Sequence, residues 1–164
     1  MKRTLLFCLL IILGALSLTG CSPNQNTAND LFKSLQKEKI IDNGLEAVDT
    51  VCEVHTVLFF TRTNYYIYKG ENGKLLAVAY QKNINGDNDY DYLISIYNDV
   101  SVNNDIEYSD DTATLSTYYI YENNKKSEQP KYDFDNETTF YAYKHNSLFS
   151  KHRYKIIQAD PKDE

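Results

Sequence analysis

Tyr65-Tyr66-Ile67-Tyr68-Lys69-Gly70-Glu71-Asn72-Gly73-Lys74-Leu75-Leu76-Ala77-Val78-Ala79-Tyr80 is the stretch that decides the fold. Two apolar runs flank Gly70-Glu71-Asn72-Gly73, and glycine and asparagine accept the left-handed backbone angles that a tight hairpin needs. Aromatic and β-branched side chains fill a pleated surface well, so both runs read as strands paired antiparallel. Working outward, Val57-Leu58-Phe59-Phe60 precedes the hairpin. Tyr90-Asp91-Tyr92-Leu93-Ile94-Ser95-Ile96-Tyr97 follows it, beyond a longer connection opened by Asn85-Gly86. The natural product is a meander of antiparallel strands.

Residues 115–121, 138–143 and 154–157 read as further strands. They are separated by the acidic, asparagine-rich stretch 98–111 and by the charged stretch 122–136, which holds Pro130 and reads as an exposed loop. Tyr65-Tyr66-Ile67-Tyr68 recurs as Tyr118-Tyr119-Ile120-Tyr121, with no longer repeat around it. Upstream of the strands, Asn29 is placed to cap a helix carrying Leu31, Phe32 and Leu35 and ending near Asn43-Gly44. Leu45, Val48, Val51 and Cys52, spaced by three and four, read as a second short helix. The expectation is an α+β domain over residues 29–164, with one or two N-terminal helices packed on an antiparallel sheet of about six or seven strands.

The first twenty residues have a different logic. Met1-Lys2-Arg3 is cationic, residues 5–13 are apolar, and Gly14 and Ala15 are small, which is the order of an export signal. The uncharged stretch is close to the length of a membrane span, about 20 residues, so length alone leaves an uncleaved anchor open. Leu18-Thr19-Gly20-Cys21 resembles the lipobox of bacterial lipoprotein precursors: a branched apolar residue, two small residues, then cysteine. The resemblance covers residues 1–21. It implies cleavage between Gly20 and Cys21, a diacylglyceryl thioether on Cys21, and a location at the cell membrane facing away from the cytoplasm. Each buried methylene contributes about 0.8 kcal/mol, so two or more acyl chains hold such a protein stably. Residues 21–28, polar and poor in apolar surface, then read as a tether.

Loss of the signal removes two of the 17 basic residues and none of the 23 acidic ones, leaving 15 against 23, a net charge of −8. That excludes nucleic acid as a partner, since phosphate binding needs a cationic surface. It also opposes docking flat on anionic lipid. Of three cysteines, Cys8 leaves with the signal and Cys21 carries the lipid. Only Cys52 remains, so no internal disulfide forms and stability must come from packing.

Chemistry is sparse. His55, His145 and His152 show no zinc-binding spacing, and the chain lacks a glycine-framed serine elbow and a phosphate-cradling loop. Residues 83–91 alternate side-chain oxygens as a calcium loop does. Counting from Asp87 puts Tyr92 at the obligatory glycine and Asn98 at the bidentate glutamate, and counting from Asn83 puts Asn88 and Ile94 there. No metal or cofactor is implied, and no catalytic residue is assigned. A thiol enzyme would require Cys52 and His55 to meet, as they would on one helical face.

All 15 tyrosines fall between Tyr65 and Tyr154, and there is no tryptophan. A phenol ring suits both a half-buried sheet and a recognition surface. Tyr66, Tyr68, Tyr119 and Tyr121 are the candidate binding residues, for a partner protein, a wall polymer or a peptide. The expected function is therefore a non-enzymatic, lipid-anchored envelope module. The alternative is an accessory or exclusion lipoprotein of a transporter or mobile element.

Overall fold

In a computed structural model describing residues 24–56, 61–83, 90–109, 116–121, 124–144 and 154–160, the two runs around Gly70-Gly73 form the centre of one sheet. Its strands are β1 (Glu46–His55), β2 (Thr61–Lys69), β3 (Leu75–Lys82), β4 (Tyr92–Val102), β5 (Thr117–Ile120), β6 (Lys126–Ser127), β7 (Tyr132–Lys144) and β8 (Tyr154–Gln158). They are arranged β6-β5-β1-β2-β3-β4-β7-β8, with every neighbouring pair antiparallel. The turn between β2 and β3 closes through Gly70 N–H to the Lys74 carbonyl and Gly73 N–H to the Gly70 carbonyl, each 2.9 Å. Gly73 has φ 78°, a value that only glycine takes without strain.

Among the described residues one helix, α1 (Gln25–Lys37), precedes the sheet. Its cap is Asn24, whose Oδ1 accepts from Thr27 N–H at 2.9 Å, so the helix begins five residues before the expected Asn29 and residues 25–28 are not tether. It stops well before Asn43-Gly44. Lys39 takes φ 59°, its N–H bonds to the Gln36 carbonyl, and the Ile40 N–H reaches back to Leu35. That pairing of bonds satisfies the last carbonyls and turns Ile40 inward, where it packs against the same core as Leu35. Ala28, Leu31, Ser34 and Leu35 form the buried stripe. Beside it Phe32 stacks on Tyr68, with centroids 4.3 Å apart.

The expected second helix is β1. Val48, Thr50, Val51 and Val54 favour a strand, and β2 and β5 pair with β1 on its two sides. A register shift between Ala47 and Asp49 breaks the twofold alternation there, which is why the apolar spacing imitates a helix. The expected loop 122–136 instead contains β6 and the start of β7, and β4 runs on into the acidic stretch as far as Val102. The strand expected at 57–60, the connection at 84–89, the signal with Gly20 and Cys21, and His145 and His152 lie outside the described residues.

The sheet has two buried faces. Under the helix lie Tyr68, Val78, Tyr80, Ile94, Ile96, Phe140 and Ala142. Tyr80 is 2% exposed there, and its hydroxyl lacks a well-formed hydrogen bond, although the Tyr68 hydroxyl bears on its acidity. On the opposite face, Val51, Ile67, Ala77, Tyr121 and Tyr132 form a second core, flanked by Tyr65, Tyr97, Val100, Tyr119 and Phe134.

A change of phase in β4 and β7 builds this second core. Phe140 and Ala142 face the helix, yet Phe134 and Tyr132, also even-numbered in the same strand, face away from it. Ile96 and Val100 differ in the same way. The slip falls where Asn136 takes φ 56°, and Asn98 and Asn136 are left out of the ladder. Beyond it the sheet curls, so that Tyr132 at the start of β7 meets Asp49 in β1 across the three intervening strands. The Asp49 carboxylate accepts from Lys131 Nζ at 2.8 Å, the Tyr132 hydroxyl at 2.9 Å and the Thr50 N–H at 2.8 Å. Tyr121 completes the closure: its hydroxyl donates to the Gln129 carbonyl at 3.0 Å and accepts from the Lys131 N–H.

Candidate binding surface

Register decides which side chains meet on the face away from the helix. Val51 pairs with Tyr65, Glu53 with Thr63 on one side and Tyr119 on the other, and His55 with Thr61 and Thr117. Directly paired residues project from the same face, so Glu53 stands between the two flanking strands with a tyrosine to either side. Its Oε2 accepts from the Tyr65 hydroxyl at 3.0 Å. Its Oε1 lies 3.4 Å from the Tyr119 hydroxyl and 3.1 Å from His55 Nε2, while His55 Nδ1 meets Thr117 Oγ1 at 3.0 Å. Tyr65 stacks on Phe134 at 4.5 Å between centroids, and Tyr97 tilts against both.

The phenols here are held neutral. Burial pushes the Tyr65 hydroxyl up first, and the Glu53 charge beside it adds to the effect. Tyr97 is pushed up to about 12 by burial and then by the Glu137 carboxylate. Tyr119 is raised by burial and then by Glu53, with Asp133 contributing. A protonated phenol donates, so Tyr65 and Tyr119 orient the carboxylate, and the Glu53 side chain retains 19% exposure. The result is a partly exposed aromatic patch around a fixed negative charge, with Glu137, the strand partner of Tyr97, exposed beside it. No family model, curated protein or solved structure matches the chain.

The four tyrosines singled out in the sequence do not form one surface. Tyr66 and Tyr68 lie on the helix face, whereas Tyr119 and Tyr121 lie on the other. Tyr68 and Tyr121 are buried, at 8% and 5% exposure, and serve as core. Of the four, Tyr119 alone belongs to the Glu53 patch. The repeated tetrapeptides also sit in opposite phase: Tyr66 faces the helix while its counterpart Tyr119 faces away. Glu53, Tyr65, Tyr97 and Phe134 are the members that a sequence reading passes over. Strict alternation along β2 would have separated Tyr65 from Tyr66, but nothing local brings Tyr65 to Tyr97 and Phe134.

Cys52 and His55 do not meet. Three positions apart on a strand, they project to opposite faces, and His55 is engaged by Glu53 and Thr117. Burial pushes the Cys52 thiol up, with the nearby Arg62 charge opposing it, which disfavours a thiolate at neutral pH. Among the described residues, no three His, Cys, Asp or Glu side chains gather to hold a metal ion. No helix among them is long and apolar enough to cross a membrane.

Proposed function

We propose that this protein is a lipid-anchored binding module of the bacterial envelope. Lipid on Cys21 holds it outside the cytoplasmic membrane, and the Glu53 patch is the surface it presents to a partner protein or wall polymer. The observation that carries this reading is the gathering of half-buried Tyr65, Tyr97, Tyr119 and Phe134 around one oriented carboxylate, on the sheet face opposite the described helix. Rings that keep an exposed edge beside fixed polar groups are the composition of recognition surfaces rather than of sealed cores. The anchoring half rests on Leu18-Thr19-Gly20-Cys21, and the acidic balance of the chain suits a domain that stands off the lipid surface.

Crosslinking in intact cells tests the surface. A photoreactive residue at position 119 should trap a discrete adduct that the same residue at position 66, on the helix face, does not. Equal adducts from both positions, or none from 119, would overturn the assignment. For the anchor, Cys21→Ala should remain uncleaved and take up no labelled palmitate. A variant that is still cleaved and still membrane-bound refutes lipidation.

A further inference from the structure

We propose, on the reading that Cys21 carries lipid, that the outer face of α1 lies against anionic phospholipid headgroups and so turns the Glu53 patch away from the membrane.

The length of chain between anchor and helix sets the distance. Asn24 caps α1, so only Ser22 and Pro23 stand between the cap and Cys21. Even fully extended, three residues reach about 11 Å. The headgroup layer is itself about 6 Å deep on each side of a bilayer. Covalent bonds therefore hold the first turn of α1 at the lipid surface, and the domain cannot rise clear of it.

Face and charge set the orientation. Ala28, Leu31, Ser34 and Leu35 are buried against the sheet, whereas Asn26, Asn29, Lys33 and Lys37, at helical spacings of three and four, form an exposed strip on the other side. The apolar stripe is occupied by the core, so the helix meets headgroups rather than acyl chains. Neither lysine pairs with a carboxylate among the described residues. Residues 24–39 hold three of the 15 basic residues that remain after the signal and two of the 23 acidic ones, a local charge of +1. From residue 40 onwards the chain holds 12 against 21, a charge of −9. An anionic surface thus repels the bulk of the domain and attracts α1. Standing the helix upright on its first turn would lift Lys37 about 20 Å from the lipid, beyond the reach of a screened charge. Laid flat, α1 brings Lys33 and Lys37 to the phosphates. The Glu53 patch, on the opposite face of the sheet, then points outward across about 20 Å of protein.

The test uses the full-length lipoprotein in vesicles of phosphatidylglycerol and phosphatidylcholine in equal parts, with a nitroxide on the headgroups as quencher. A fluorescent amino acid is placed at position 37, on the outer face of α1, or at position 61, exposed on the face that carries Glu53. Quenching should be strong at 37 and near background at 61. Vesicles of phosphatidylcholine alone should lower it at 37. Lys33→Gln should lower it as well, shifting the ratio of surface-bound to lifted helix about fivefold. A long glycine-serine insert after Pro23 should do the same, because the effective concentration of the lipid surface falls. The change of lipid uses one and the same protein, so it decides the matter even if Lys33→Gln misfolds. Equal quenching at 37 and 61, or stronger quenching at 61, in protein that takes up labelled palmitate overturns the orientation and leaves the anchor standing. Quenching at 37 that neither the lipid charge nor the insert alters overturns it too. Protein that takes up no palmitate loses the anchor and the orientation together.

Discussion

Replacing Asp49 by alanine should loosen the curl of the sheet, at a cost that can be worked from its contacts. The carboxylate is 5% exposed and accepts three bonds at 2.8–2.9 Å, from Lys131, Tyr132 and Thr50. Breaking a buried pair costs about 3 to 5 kcal/mol when the remaining charge stays buried. The Lys131 side chain is 31% exposed, so its ammonium can turn to water and recover part of that cost. Tyr132 is buried and loses its acceptor. The net expectation is a loss of about 2 to 3 kcal/mol.

Urea unfolding, followed by circular dichroism and tyrosine fluorescence, measures it. Repeating the titration across acid pH isolates the carboxylate. Burial raises the Asp49 pKa, but the bonds from Lys131, Tyr132 and Thr50 outweigh burial and set it below 3.8. The unfolded chain therefore takes up this proton first as pH falls. The stabilisation is fully present above the unfolded value of 3.8 and is lost as pH drops through the lower folded value. The gap between wild type and Asp49→Ala should be constant at neutral pH and narrow below about pH 4. A cost under about 0.5 kcal/mol, no more than an exposed pair contributes, would show that apolar packing alone holds the curl.

Asn136 takes φ 56°, so Asn136→Ala should cost about 1 to 2 kcal/mol while Asn136→Gly stays close to neutral. Equal melting temperatures for the two variants would count against a backbone origin for the phase slip. At alkaline pH, burial pushes Tyr68, Tyr97 and Tyr154 up to about 12 from 10. The folded state holds these protons longer than the unfolded chain, so the stability they contribute is complete below pH 10 and lost as pH rises towards 12. Unfolding free energies that stay level across that window would contradict the burial of these rings.

Much of the fold was legible because its signals are local. Gly70-Glu71-Asn72-Gly73 specifies a hairpin through backbone angles alone, and the apolar runs on either side carry strand propensity within a few residues. Other signals misled for local reasons too. The bulge in β1 gave Val48, Val51 and Cys52 a helical spacing, and Asn29 resembled a cap as much as Asn24 did, although only Asn24 stands before the turn that contains Ala28. Residues 122–136 read as loop because charge and Pro130 obscure β6, which pairs with β5, and the start of β7, which pairs with β4.

By itself, the sequence carried the class of the fold, the central meander, the acidic balance and the resemblance of Leu18-Thr19-Gly20-Cys21 to a lipobox, each a property of neighbouring residues or of composition. Only the tertiary structure decided which tyrosines are core and which form a surface. That choice depends on the phase slip at Asn98 and Asn136 and on the curl held by Asp49, which carry Phe134 to Tyr65 across 69 positions of chain. A side chain's parity along its own strand is written locally. The face it ends on, and the partner it meets there, are set by strands far away in sequence.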